Sequence, residues 1–248
     1  MDRTNGTTFD RNGNQIVCIP VKSYSRRLEN KNMRLLNEVP LFFYTLMQVA
    51  KYLSGVSFFV STDNEYIQRV AIEFGAVNVA LRPPHLCLDA VTNHDVIDYH
   101  IAAGHIESNC YLTLLQVTSP FRIGHIFERL KTCASDRLAV VGVDGPIQKK
   151  QGILRGANST EFVENQIFPR GVYLTNASIY GGVVVNGRQN IMSEPNPCLI
   201  GMSKPYNLDI NDYFDWVSAE TYIEKNLLPA DLMEFVSLVN YAWKENYA

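Results

Sequence analysis

Apolar residues in this chain fall into short unbroken runs that alternate with stretches of helical period. The run "QIVCIPV" reads as a strand buried on both faces. Over residues 40–54, Phe42, Leu46, Val49, Ala50 and Leu53 share one helical face, and Pro40 suits a first turn. "VSFFVST" predicts a second strand. In the helix after it, "NEYIQRVAIEFG", Thr62 and Glu65 have capping-box spacing, Asp63 is a capping candidate and Gly75 is placed to end the helix. "AVNVAL" predicts a third strand, residues 92–107 a helix, "YLTLLQV" a strand, "IGHIFERLKTCA" a helix and "RLAVVGV" a strand. Such alternation predicts a parallel α/β fold, with ligands at the carboxyl ends of the strands.

The pattern breaks after Val143. Residues 144–175 show no clear period and read as an arm inserted into a domain spanning 14–248. Strands resume at "ASIYGGVVVN" and "CLIGM", followed by helices over "DYFDWVSAETYIEKN" and "PADLMEFVSLVNYAWKENY". In the last helix Leu232, Phe235, Val236, Val239 and Trp243 form an apolar stripe that predicts core packing.

A length of 248 residues suits one large α/β domain, and 46% hydrophobic residues allow a sizeable core. The formal net charge of −3 argues against general affinity for nucleic acid or membrane, so any positive site has to be local. No apolar run is long enough to span a bilayer. Residues 1–13 are polar, lack the apolar core of a signal peptide and are expected to be disordered, which points to a cytoplasmic protein. The five cysteines are widely spaced without a C-x-x-C pair and are expected to be reduced and buried. In such a chain the N-x-S/T triplets at Asn5, Asn158 and Asn176 are chance matches. His100, His105 and His125 lie on predicted helices, with no acidic neighbour pattern for a metal site, and are expected to be structural.

The local positive site is "IPVKSYSRRLENKN". Lys22, Arg26, Arg27 and Lys31 follow directly on the first strand, where backbone N–H groups and cations together suit a polyphosphate. Neither the Walker A pattern nor the dinucleotide G-x-G-x-x-G is present.

This stretch resembles the first motif of the sugar-acid cytidylyltransferases, the family of CMP-sialic acid and CMP-Kdo synthetases. The resemblance continues in order through "PLFFYTL", "VSTDNEYIQRVAIEFGA", "LRPPHLCLD", "LLQVTSPFR" and "LDINDYFDWVSAE", over about residues 16–220. It implies a Rossmann-like three-layer nucleotidyltransferase fold, with a mostly parallel sheet and a small inserted dimerisation arm. It implies attack of a sugar-acid hydroxyl on the α-phosphorus of CTP with release of pyrophosphate, in a homodimer, with Mg2+. Lys22 and Lys31 would then sit on the triphosphate as catalytic cations. Ser25, Arg26, Arg27, Asn32, Arg82 and Asp89 would complete nucleotide binding. Gln116, Thr118, Ser119, Arg122, Asn176 and Tyr180 would serve the sugar acid. Asp209 would be catalytic and a metal ligand, with Asn211 as the second metal position.

Several positions depart from the family pattern. Ser23 and Tyr24 replace a Gly-Gly pair, Glu29 and Asn30 replace Pro-Gly, and Val117 replaces a proline. Asn211 stands where relatives carry an aspartate; its amide oxygen can ligate a cation but brings no charge. In "LTNASIY" the usual arginine of the sialic-acid branch is Leu174, leaving Arg170 and Arg188 as candidates for the sugar carboxylate. These departures keep open two other readings: a CMP-Kdo-type synthetase, and a weakened homologue that binds nucleotide or serves as a partner subunit.

Overall fold

The run that reads as the first strand is β1 (Gln15–Val21), with Val17, Cys18, Ile19 and Val21 all at most 1% exposed. A strand shielded on both faces belongs at the centre of a sheet. The computed structural model, which describes residues 15–146, 173–187 and 197–247, puts β1 between β4 (Ser57–Thr62) and β5 (Tyr111–Leu115), parallel to both. The sheet continues through β7 (Tyr173–Val183), β6 (Val140–Pro146) and β8 (Cys198–Met202), in the order β4-β1-β5-β7-β6-β8. β7 runs antiparallel to both of its neighbours, while β6 and β8 pair in parallel. A short hairpin of β2 (Leu35–Leu36) and β3 (Val39–Pro40) stands apart from this sheet.

Side chains of β1 alternate between two apolar clusters, as the pleat requires. Val17, Ile19 and Val21 join the larger cluster, with α1 (Leu41–Tyr52), α2 (Glu65–Glu73), α4 (Gly124–Ser135), α5 (Tyr213–Glu224) and α6 (Ala230–Tyr247) contributing. Cys18 joins the smaller one with Ile97 of α3 (Asn93–Ala102). Helices therefore cover both faces in a three-layer α/β arrangement. The stripe on α6 is core, as its spacing predicts: Trp243 meets Phe43 edge-on, with ring centroids 5.0 Å apart.

Four local predictions need correction. Asn64, not the Thr62–Glu65 pair, caps α2, its Oδ1 accepting from the backbone N–H of Tyr66 and Ile67. Asp63 does not cap either; it is drawn to the neighbouring loop. "AVNVAL" forms no strand: the chain is tied to β4 only at its ends, where Val77 N donates to Phe58 O at 2.8 Å and Arg82 N to Thr62 O at 2.7 Å. The helix expected to reach residue 107 stops at Ala102, but begins as its sequence suggests, with a capping box between Thr92 and Asp95.

The cysteines are free; Cys18, Cys110 and Cys133 are buried, whereas Cys87 and Cys198 are only partly so. Most of the arm at 144–175, the first 13 residues, and Arg170 and Arg188 lie outside the described residues. Among those described, no helix is long and apolar enough to cross a membrane.

Candidate active site

Because β1, β4 and β5 are parallel, their carboxyl ends meet at one edge. The pairing of Val21 with Thr62 sets Lys22 beside Asp63. Asp63 then anchors the basic loop, accepting at 2.7 Å from both the backbone N–H and the hydroxyl of Ser23. Further along, Asn30 turns the chain with φ at 51°, a left-handed conformation that asparagine tolerates better than most residues. That turn sends Lys31 and Asn32 inward, and both are buried. Asn30 thus does the conformational work for which a glycine is the usual choice.

The loop forms one wall of a cleft of about 430 Å3. Lys22, Ser25, Arg26, Arg27, Lys31 and Asn32 line it, facing Arg82 and Asp89. All eight residues expected at the nucleotide are therefore brought together. Lys22 Nζ lies 2.8 Å from Asp89 Oδ1, and this hydrogen bond holds the Asp89 carboxyl below its usual range. Arg26 lies 3.7 Å from the same carboxylate. Lys31 Nζ donates to the carbonyl of Ile210 at 2.6 Å. Burial pulls the Lys31 pKa down, while nearby Asp209 pushes it back up.

A second cleft of about 420 Å3 opens at the carboxyl ends of β6 and β8. Asp144, Asn176, Lys204, Asn207, Asp209 and Asn211 are among its lining residues. Asp144 accepts from Asn207 Nδ2 at 3.0 Å. Gly142 is required beside it: a Cβ there would stand 2.7 Å from Asn176 Oδ1. The two clefts touch at one place. Arg27 Nη2, from the first, donates to Asn211 Oδ1 in the second at 2.9 Å, and Lys31 grips the carbonyl between Asp209 and Asn211.

The residues expected to serve the sugar acid divide. Asn176 lines the second cleft. Gln116 and Thr118 line the first cleft, not the second, because β5 ends beside β1. Tyr180 lines neither; it pairs with Leu114 and packs on the smaller apolar cluster, with its side chain bonded to Thr175 of the second cleft. Ser119 and Arg122 are fully buried. Arg122 spends its donors on Gln48 Oε1, Thr45 Oγ1, Ser178 O and Gln116 O, so it braces the loop after β5 instead of meeting a ligand. Burial drags its pKa down to about 9, opposed by Asp209.

Asp209 offers hard oxygen to a divalent cation. Its Oδ1 is buried without a hydrogen-bond partner, while Oδ2 accepts from Asn211 Nδ2 at 2.7 Å. Asn211 does not match its expected role: its amide N–H2 turns to Asp209 and its Oδ1 is taken by Arg27. Among the described residues no group of three His, Cys, Asp or Glu side chains could hold a metal. A single carboxylate still fits Mg2+, which completes its octahedron with phosphate oxygens and water.

Unpartnered buried polar atoms are rare in folded proteins and call for an explanation. Among the described residues there are five on side chains: Asn32 Oδ1, Ser119 Oγ, Asn176 Nδ2, Asp209 Oδ1 and Trp216 Nε1. Three of these belong to residues that line the two clefts. Polar groups left open around paired cavities suit a bound polar ligand.

Residues 16–136, which carry the basic loop and the first cleft's floor, match the family model described as Cytidylyltransferase. The match spans just under half of the chain and marks its similarity to the cytidylyltransferases. The chain is also similar to the CMP-N,N'-diacetyllegionaminic acid synthase of Legionella pneumophila, with 29% identity over 228 residues, covering 85% of this chain and 97% of that protein. It is also 33% identical over 143 residues to the N-acylneuraminate cytidylyltransferase of Streptococcus agalactiae. That match covers 56% of this chain, which spans 33% of the longer streptococcal protein. Its fold is shared with a CMP:2-keto-3-deoxy-manno-octonic acid synthetase complexed with CTP, at a TM-score of 0.58 and 14% identity, covering 86% of this chain and 99% of that one.

Sequence reasoning missed Asp63 as the anchor of the basic loop, and Lys204, Asn207 and Asp144 altogether. The last three sit on strand ends separated by the arm, and no local pattern links them.

Proposed function

We propose that the chain is a cytidylyltransferase that couples CTP to a sialic-acid-like sugar acid, giving a CMP-sugar and pyrophosphate. The observation that carries this reading is the junction of the two clefts. A cation-lined cavity meets a second polar cavity at Asp209, so two substrates could react across a shared wall. Lys22, Arg26, Arg27 and Lys31 match the charge of a triphosphate, and Arg82 with Gln116 would face the base and ribose side of the same cleft. The second cleft suits a polyhydroxylated acid. Asn176 and Asn207 offer amides, and Lys204, the cation on its described lining, offers a charge for the carboxylate.

In the reaction the sugar hydroxyl oxygen bonds to the α-phosphorus, and the bond from that phosphorus to the bridging oxygen breaks. Pyrophosphate leaves, and the hydroxyl proton passes to solvent or to a carboxylate at the junction. Nucleotidyl transfer needs positioning and charge neutralisation more than covalent catalysis. Lys31 and Arg27 are held in place by bonds to Ile210 and Asn211 before substrate arrives, which spares reorganisation in the transition state. Mg2+ held by Asp209 Oδ1 would add charge neutralisation at the phosphates.

The Legionella relative, matched over nearly its whole length, favours a legionaminic or related nonulosonic acid over Kdo, whose synthetase shares the fold alone. The test is pyrophosphate release with Mg2+ and CTP, UTP or ATP, against legionaminic, pseudaminic, sialic and Kdo acids. Release with CTP and one of the first three acids is expected. Release with Kdo alone would move the assignment to the Kdo type. Silence across the panel would contradict the reading.

A further inference from the structure

Behind the first cleft a line of buried polar groups runs away from Arg82. Arg82 is 6% exposed; its Nε donates to Ser61 Oγ at 3.1 Å and its Nη2 to the Ser61 carbonyl. A guanidinium only donates, so Ser61 Oγ accepts from it and keeps its own proton for another partner. That partner is His100 Nε2, 2.7 Å away. If Nε2 accepts, the His100 proton sits on Nδ1. His100 Nδ1 lies 2.9 Å from His105 Nδ1, which then accepts, leaving the His105 proton on Nε2. This polarity gives every proton along the line from Arg82 to His105 an acceptor, whereas the reverse leaves the Ser61 hydroxyl proton without one among the described residues.

The line is built rigidly. Ser61 and His100 are fully buried. Phe59 and Tyr99 pack on the His100 ring, with centroids 4.6 and 5.0 Å away. Burial, with His105 and Arg82 beside it, holds His100 neutral, its pKa pushed down to about 3. Ser61 is also on β4, next to the Thr62 carbonyl that receives the Arg82 backbone N–H. Arg82 Nη1 makes no hydrogen bond among the described residues, and Arg82 lines the cleft.

We propose that Ser61, His100 and His105 form a positioning relay that fixes Arg82 for the nucleotide, making His100 and Ser61 positioning residues for CTP affinity. The inference rests on reading the first cleft as the nucleotide site. Without the relay the guanidinium loses a hydrogen bond that orients it, and part of its bond to the ligand is lost as ordering cost.

The test measures CTP binding by titration calorimetry, and KM and kcat where turnover is found. Ser61→Ala and His100→Phe are each expected to weaken CTP binding about tenfold, the scale of one charge-assisted hydrogen bond. The sugar-acid KM should not move. His100→Gln, which returns an acceptor near the Nε2 position, should restore most of the affinity. In the wild type, 15N resonances of the His100 ring should show the Nδ1–H form, a readout that holds even where a variant fails to fold. Wild-type binding with equal affinity in Ser61→Ala and His100→Phe would overturn the relay and leave the nucleotide reading intact. An Nε2–H form of His100 would also overturn it. Absence of CTP binding by the wild type would overturn both.

Discussion

Arg27 Nη2 donates to Asn211 Oδ1 at 2.9 Å, joining the basic loop to the acidic edge of the second cleft across 184 positions of sequence. The contact gives Asn211 a role at the position where the resembled motif has an aspartate. Its amide bridges a cation and an anion: Oδ1 receives Arg27, and Nδ2 donates to Asp209 at 2.7 Å. An aspartate would pair with Arg27 but repel Asp209.

Asn211→Asp therefore tests whether the site is complete. Without metal the variant should lose about 1 kcal/mol of stability, from like charges in contact. Its affinity for Mn2+, read by calorimetry, should rise, because two carboxylates then face the cation. Turnover should stay level or fall, since Arg27 is drawn toward the new carboxylate and away from phosphate. A large jump in turnover would instead favour the weakened-homologue reading.

Lys31→Met separates catalysis from stability. The ammonium is buried against the Ile210 carbonyl, and burial already disfavours its charge. Replacing it with an apolar chain of similar length leaves the Ile210 carbonyl without its donor, so it should cost about 1–3 kcal/mol of stability while the protein stays folded. Pyrophosphate release should fall about a hundredfold or more, the cost of removing one preorganised cation from a transition state. A loss of fold in place of a loss of rate would assign Lys31 to the scaffold.

The division between what these two residues reveal in sequence is instructive. Lys31 lies in the basic loop that follows β1, and that placement is local information. Arg27's partner is not local, so the pairing with Asn211 depends on a chain fold that brings residues 27 and 211 together. The same applies to Arg122: its spacing after β5 resembles a ligand position, but α1 supplies Thr45 and Gln48 to consume its donors. The strand pattern was legible because β1, β4 and β5 are continuous apolar runs. "AVNVAL" misleads because β-propensity says nothing about whether a ladder partner lies alongside. Asp63 misleads because a carboxylate beside a helix start usually caps it, whereas here the parallel register delivers Ser23 to it first.

Arg122→Met should act on stability, not selectively on the sugar acid. It leaves Gln48 Oε1 without a donor in a fully buried site and takes one donor each from Thr45 Oγ1 and the Ser178 and Gln116 carbonyls, the Gln116 N–H still donating to Ser178. Breaking such a network costs about 3–5 kcal/mol. Urea unfolding should show that loss. A folded variant with only a raised sugar-acid KM would contradict the bracing role.

Stability should also fall with acid. His100 has a native pKa of about 3 against an ordinary 6.5. Between those values the unfolded chain binds the proton and the folded chain does not, so stability rises with pH there. The contribution is complete above about pH 6.5 and is lost as pH falls toward about 3. One such proton gives a slope of about 1.4 kcal/mol per pH unit. Urea midpoints of the wild type should therefore drop more steeply between about pH 6.5 and 4.5 than those of His100→Gln, which has no proton to take up. Parallel curves would show that His100 is not buried in its neutral form.

The most direct test of the account follows the phosphorus itself. Protein, Mg2+, CTP and N,N'-diacetyllegionaminic acid are mixed and watched by 31P NMR. A new phosphodiester resonance, that of a CMP-sugar, should grow in step with pyrophosphate, and should be absent when Asp209→Asn replaces the wild type. Unchanged CTP with every sugar acid offered, or pyrophosphate released with CMP and no diester, would contradict the claim that the two clefts join a nucleotide to an acidic sugar.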